Sequence, residues 1–178
     1  MTSPDGNIYG LPHAEFDINN YVLMWNIIRQ DWLDKLGLAM PSTIDEYHDV
    51  LVAFRDQDPN GNGKKDEVPL GYQNDQMFGL YTFKEAFGFN NTDIWSVSDD
   101  GVVAFDLMDD KFLDCLTTLN QWYGEGLLST TTDGSDSDSL ISQDRLGGQT
   151  LSSTDNVIGK DDLVRETNPD GHYVFIPA

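Results

Sequence analysis

The chain has one cysteine, Cys115, in 178 residues, which excludes an internal disulfide and any zinc site built on several thiolates. It sits in KFLDCLTTLNQWY at helical spacing with Phe112, Leu116, Leu119 and Trp122, so a buried, inert thiol is expected. Positive charge is scarce as well: 10 Lys and Arg stand against 31 Asp and Glu, a formal net charge of -21. Nucleic acid or an anionic membrane surface is repelled by such a chain. No apolar run is long enough to cross a bilayer, and Met1 is followed by TSPDG rather than by a charged and then apolar leader. Catalytic signatures are missing too. No P-loop, dinucleotide fingerprint or G-x-S-x-G is present, and His13, His48 and His172 lack metal-ligand spacing. Paired acids such as Asp99–Asp100, Asp109–Asp110 and Asp161–Asp162 are too numerous to mark a glycosidase pair. No enzyme activity is expected.

What is present suits one ordinary domain, with 39% hydrophobic and 11% aromatic residues. NIYGLP (7–12) and YVLMWNII (21–28) read as strands, and DWLDKLGL (31–38) as a short helix stopped at Gly37. A second helix starts with the capping-box spacing Thr43 to Glu46 and carries Ile44, Tyr47, Leu51 and Phe54 on one face. Further strands are expected at 68–72, 94–97, 102–105, 146–151 and 173–176, with the hairpin signal Asp100-Gly101 between the second and third of these. Helices are expected at 76–87, 109–124 and 154–166. The polar run STTTDGSDSDS (129–139) reads as a flexible, exposed connection. Strands and helices mixed along the whole chain predict an α/β layer structure, a mixed sheet flanked by helices.

The densest chemical signal is DPNGNGKKDE. Oxygen side chains recur at Asp58, Asn60 and Asn62, glycine stands at Gly63 where the chain turns, and Asp66 and Glu67 follow. With the carbonyl of Lys64 these supply six oxygens for a hard cation, and a structural Ca²⁺ is expected in a loop bounded at 56–69. Pro69 replaces the acid that closes a helix-loop-helix site, leaving Glu67 to close this shell.

DGNIYGLP, IIRQDWLDKLGLAMPSTIDEY, DQDPNGNGKKDEVPLG and YVFIPA, in that order, resemble the family 1 extracellular solute-binding proteins of ABC importers. The nearest subgroup is the lipoprotein type that includes calcium-containing alginate-oligosaccharide binders. The resemblance implies one lobe, residues 1–178, of a type II periplasmic-binding-protein-like fold. It would be the second lobe of a longer two-lobe receptor, with Met1 foreign to it. It also implies calcium on Asp58, Asn60, Asn62, Lys64, Asp66 and Glu67, an oligosaccharide solute, an ABC permease as partner of the full-length protein, a monomer, and a lipid-anchored extracytoplasmic location whose targeting segment lies outside this chain. An accessory domain of a carbohydrate-active enzyme, or a free-standing calcium-dependent glycan-binding or adhesion domain, is the competing expectation. Turnover of a glycan would favour the former, and a natural reading frame starting at Met1 the latter.

Solute contacts have no local signature. Open α/β sheets bind ligands at the carboxyl ends of strands. That rule selects Tyr72, Gln73 and Asn74 after one strand, Ser153 and Thr154 after another, and Asn19 and Asn20 before the apolar run. Sugar rings stack on aromatic faces, which favours Trp25 and Tyr72. Trp32 and Trp122 fall on helical stripes and are expected in the core.

Overall fold

A computed structural model describes residues 5–8, 25–71, 83–89, 94–97, 100–129, 134–151 and 155–176; side chains in the last two stretches are described from 137 and 157 onward. The first strand, β1 (Trp25–Arg29), passes directly into helix α1 (Gln30–Leu36). Asp31 in the first turn and Lys35 in the last complement the helix dipole, and Gly37 at φ 67° closes the helix on the carbonyls of Leu33 and Asp34. Helix α2 (Ile44–Asp56) follows. Thr43 Oγ1 accepts from the amide of Glu46 as expected, but the Glu46 carboxylate reaches the amide and hydroxyl of Ser42 at 2.8 and 2.7 Å. Those bonds, the hydroxyl first, hold Glu46 below the usual carboxylate range.

Strand β2 (Val68–Gly71) comes next, then the hairpin β3 (Trp95–Val97) and β4 (Val103–Phe105), and helix α3 (Asp110–Gly124). Helix α4 (Gly134–Ser142), β5 (Leu146–Leu151), α5 (Asp155–Arg165) and β6 (Tyr173–Phe175) complete the order. The four-stranded sheet runs β2-β5-β1-β6. β5 is antiparallel to β1 and parallel to β2, and β6 is antiparallel to β1. Ile27 and Ile28, adjacent on β1, face opposite sides. Ile28 joins a core with Trp32, Leu33, Tyr47, Phe54 and Trp122 of α1, α2 and α3. Ile27 joins Ile141, Leu146, Leu151 and Val164, which draw in α4 and α5. Helices therefore cover both faces of a mixed sheet, and every residue of β5 is buried.

Several expectations are corrected. Asn7 and Ile8 are not strand; Asn7 instead closes a turn on Asp5. Within 129–139, read as a flexible connection, residues from Gly134 onward are helical, because Ser137, Leu140 and Ile141 pack inward. Leu116 is 41% exposed despite its place in the apolar stripe, whereas Cys115 and Trp122 are buried. Burial pushes the Cys115 thiol up to about 11, which leaves it inert at neutral pH. The expected strand 7–12 beyond Ile8, helix 76–87 before Phe83 and strand 21–28 before Trp25 lie outside the described residues.

Close packing of sheet on helices explains the Gly-Gly pair in β5. A Cβ on Gly147 would stand 2.5 Å from Phe54 Cδ2 and 2.7 Å from the Pro69 carbonyl. Gly147→Ala is therefore expected to destabilise by about 1–3 kcal/mol, while Gly159→Ala, in open space on α5, should be neutral or stabilising. Urea unfolding of the two variants checks this; equal midpoints would refute the packing argument.

Candidate functional site

The strand register sorts the candidate residues onto two edges of the sheet. Trp25 is paired with Leu151, Gly71 with Gln149, and Ile27 with Phe175. The carboxyl ends of β2, β5 and β6 thus meet at one edge, together with Trp25 at the start of β1. Tyr72, Gln73 and Asn74 directly follow Gly71 in sequence, and Ser153 and Thr154 lie just beyond Leu151; these five, with Asn19 and Asn20, fall outside the described residues. Of the proposed solute contacts, Trp25 alone is described. It is half-buried, and its ring lies 4.9 Å from that of Phe175 at 52°. Its Nε1 is buried without a hydrogen-bond partner among the described residues.

Two polar positions that the sequence reading passed over lie beside this edge. Thr150 donates to Asn26 across the β1–β5 ladder at 3.0 Å. Gln149 is wholly buried, and neither atom of its amide is hydrogen-bonded among the described residues. The adjacent polar pair Gln149-Thr150 inside a strand otherwise made of leucine and glycine, LGGQTL, is the available signal.

The opposite edge carries Val68, Leu146, Arg29 and Tyr173, and the loop 58–67 enters the sheet there. The four residues of β2 place it about 10 Å from the first edge. Asp58 has φ 51°, Gly61 75° and Gly63 76°, left-handed conformations that glycine takes without strain and Asp better than most residues. The loop's own oxygens hold it folded. Asp58 Oδ2 accepts from the Gly63 amide at 3.0 Å, Asn60 Oδ1 from the Asn62 amide at 2.9 Å, and Asn62 Oδ1 from the Lys64 amide at 2.7 Å. Asn62 Nδ2 donates to Asp66 Oδ1 at 3.0 Å, and this bond is the first cause holding Asp66 below its usual range, aided by Arg145.

Among the described residues, no three His, Cys, Asp or Glu side chains group to hold a metal by themselves. A cation in this loop would depend on the amide oxygens of Asn60 and Asn62 and a backbone carbonyl as well as on Asp58, Asp66 and Glu67. The donor chemistry fits a hard cation. Each amide oxygen keeps a lone pair free after its backbone bond, and Asp58 Oδ1 and Glu67 Oε1 are buried without hydrogen-bond partners among the described residues. Burial, and then the charges of Asp58 and Asp66, push the Glu67 carboxyl above its ordinary value.

Behind the loop lies a buried ion cluster. Arg29 is wholly buried; it donates to both carboxylate oxygens of Asp31 at 2.7 and 2.6 Å and pairs with Asp144 at 2.6 Å. Its guanidinium lies 4.7 Å from the Trp32 ring centre and 5.7 Å from that of Tyr173. Burial works against the charge of Arg29, yet the Asp31 hydrogen bond and the neighbouring charges hold its pKa above the ordinary value. Among the described residues, half-buried His48 pairs with Glu125 at 2.6 Å and His172 lies 3.0 Å from the Asp170 carbonyl.

No protein-family model matches the chain. Relatives do. The fructooligosaccharide ABC transporter substrate-binding protein FusA of Streptococcus pneumoniae is 37% identical over 142 residues, 72% of this chain and 25% of FusA. The polygalacturonan/rhamnogalacturonan-binding protein YtcQ of Bacillus subtilis is 30% identical over 146 residues, 80% of this chain and 28% of YtcQ. A solved structure of S. pneumoniae FusA, described as an EF-hand mutant in complex with fructo-nystose, superposes with a TM-score of 0.75 at 27% identity, covering 99% of this chain and 36% of that one. The chain thus spans about a quarter of the length of the curated relatives it matches, and its fold is that of the periplasmic solute-binding proteins.

Proposed function

Because the chain belongs to the sugar-binding proteins of ABC transporters as one segment of their length, we propose that it is one lobe of an extracytoplasmic receptor. This lobe forms one wall of a cleft that closes on an oligosaccharide, which the receptor presents to a membrane permease. The observation that carries the reading is the convergence of the carboxyl ends of β2, β5 and β6 with Trp25 at one sheet edge, in a chain 37% identical to a fructooligosaccharide-binding protein. Trp25 and Tyr72 would stack on sugar rings, while Gln73, Asn74, Asn19, Asn20, Ser153 and Thr154 would serve hydroxyls. The names of the relatives, one binding fructooligosaccharides and one polygalacturonan and rhamnogalacturonan, support an oligosaccharide and leave the choice among neutral and acidic glycans to the contacts at this edge.

We further propose a structural calcium in the loop, held by Asp58, Asn60, Asn62, the Lys64 carbonyl, Asp66 and Glu67. The orphaned oxygens of Asp58 and Glu67 support it, as does the EF-hand named for the FusA structure. Bound calcium would supply charge neutralisation and fasten the exit of α2 to the start of β2. The loop belongs to the sheet edge away from the proposed solute edge, so its role is architectural.

Calorimetric titration with a panel of fructo- and galacturono-oligosaccharides tests the lobe reading. The isolated chain is expected to bind weakly or not at all, and a longer protein containing it tightly, because losing one wall of a cleft removes contacts while the cost of association stays. In the longer protein, Trp25→Ala should weaken binding about tenfold or more, with its melting point recorded to separate this from lost packing on Phe175. Equal, tight binding by the isolated chain would overturn the two-wall reading.

A further inference from the structure

We infer that Asn60 is a positioning residue that ties the metal loop to the buried Arg29 cluster, its amide oxygen serving the loop while its amide nitrogen holds the carbonyl of Asp144. This rests on the calcium reading above. Asn60 Oδ1 accepts from the Asn62 amide at 2.9 Å and Nδ2 donates to the Asp144 carbonyl at 3.1 Å. The receiving carbonyl is fixed in place. Asp144 has φ 58°, and the turn around it is closed by the Asp144 amide on Ile141 O and the Arg145 amide on Leu140 O, both at 2.9 Å. The same residue sends its carboxylate to Arg29 at 2.6 Å.

A second tie runs the other way, from the far end of the loop. Arg145 Nε donates to the Asp66 carbonyl at 2.8 Å and lies 3.4 Å from the Asp66 carboxylate. The Arg145 carbonyl in turn accepts from the Val68 amide at 2.8 Å, at the first residue of β2. Residues 144 and 145 are thus gripped from both ends of the loop, and whatever orders the loop also orders the turn that starts β5 and supplies one partner of Arg29. Lys35 of α1 adds a third tie, donating to the Pro59 carbonyl at 2.6 Å.

The choice of an amide at this position follows. A carboxylate would be the stronger ligand for a divalent cation, since ligand charge raises affinity. It would also set an acceptor oxygen against the Asp144 carbonyl, two acceptors with no proton between them. Only an amide can face a cation with its oxygen and a carbonyl with its nitrogen. Asn60→Asp therefore separates metal affinity from transmission, which a merely structural residue would not do.

The test uses the whole chain and its Asn60→Asp and Asn60→Ala variants. Calcium affinity is measured by calorimetry, and hydrogen exchange of the Val68 amide is compared with that of β1 amides, with and without calcium. Asn60→Asp is expected to bind calcium at least as tightly as the wild type, yet its Val68 amide should exchange roughly three- to tenfold faster relative to β1 and gain less protection when calcium is added. Asn60→Ala should lose on both counts. If the wild type takes up no calcium, the metal reading falls and the transmission with it. If the wild type binds calcium and Asn60→Asp leaves Val68 exchange unchanged, the transmission alone falls.

Discussion

Arg29→Met is expected to lower the stability of the chain by about 3–5 kcal/mol, the range for breaking a buried ion pair from one side. The substitution keeps much of the side-chain volume beside the Trp32 and Tyr173 rings that the guanidinium faces, so the loss is electrostatic, the cation–π contacts included, rather than a cavity. It leaves Asp31 and Asp144 largely buried, with side chains 13% and 11% exposed, and with Asn168 Nδ2 at 3.4 and 3.2 Å as a shared donor too weak to replace a guanidinium. Arg29→Lys should recover only part of the loss, because an ammonium cannot donate to both oxygens of Asp31 while reaching Asp144. The triple variant Arg29→Met, Asp31→Asn, Asp144→Asn should be more stable than the single one, since no charge is then left unpaired. Urea unfolding followed by tryptophan fluorescence reads all three. A single variant within about 1 kcal/mol of the wild type would show that the cluster does not hold β1, α1 and the turn before β5 together.

That cluster marks the limit of what the sequence made legible. Periodicity located α1, α2, α3 and α5, and short apolar runs located the sheet strands, because these elements bury a concentrated apolar set: Tyr47, Leu51 and Phe54 on α2, or Ile27 and Ile28 on β1. The loop at 58–67 was legible because its oxygens must alternate with glycines over consecutive residues, and its internal hydrogen bonds confirm that local folding. Arg29 was not, since its partners Asp31 and Asp144 are 2 and 115 positions away and nothing local distinguishes Asp144 from the other acids. The tie from Asn60 to the Asp144 carbonyl spans 84 residues and is invisible for the same reason. Leu116 misled because helical spacing reports a face and not its width: α3 buries Phe112, Cys115 and Trp122, and Leu116 lies past the rim. The polar run 129–139 misled because composition hid a helix whose anchoring residues, Leu140 and Ile141, fall just beyond it.

Calcium is expected to raise the melting point of the chain, and a chelator to lower it, with a dependence on pH that the loop's acids dictate. Binding to the native state alone adds RT ln(1 + [L]/Kd), about 2.7 kcal/mol at a hundredfold excess over Kd. Glu67 sets the pH behaviour. Its carboxyl is raised on folding, by burial first and then by Asp58 and Asp66, so without metal the native state binds more protons than the unfolded chain over that range. By linkage the contribution of Glu67 then favours folding as pH falls through the raised value and is lost as pH rises past it. Calcium reverses the sign, because the ion requires the ionised carboxylate: binding expels the proton, and affinity falls as pH falls through the same window. Glu67→Gln removes both effects, so its metal-free form should lack this pH dependence and its calcium-induced shift in Tm should shrink by more than half. Lys64→Ala should change neither, since Lys64 would give only its backbone carbonyl. The measurement is thermal unfolding in calcium and in chelator from about pH 4 to pH 7, bracketing the ordinary carboxylate range and the values above it. Equal midpoints in calcium and chelator at pH 7, with no metal retained by the purified protein, would defeat the calcium reading; an equal calcium shift in Glu67→Gln would leave the ion in the loop but take Glu67 out of its coordination shell.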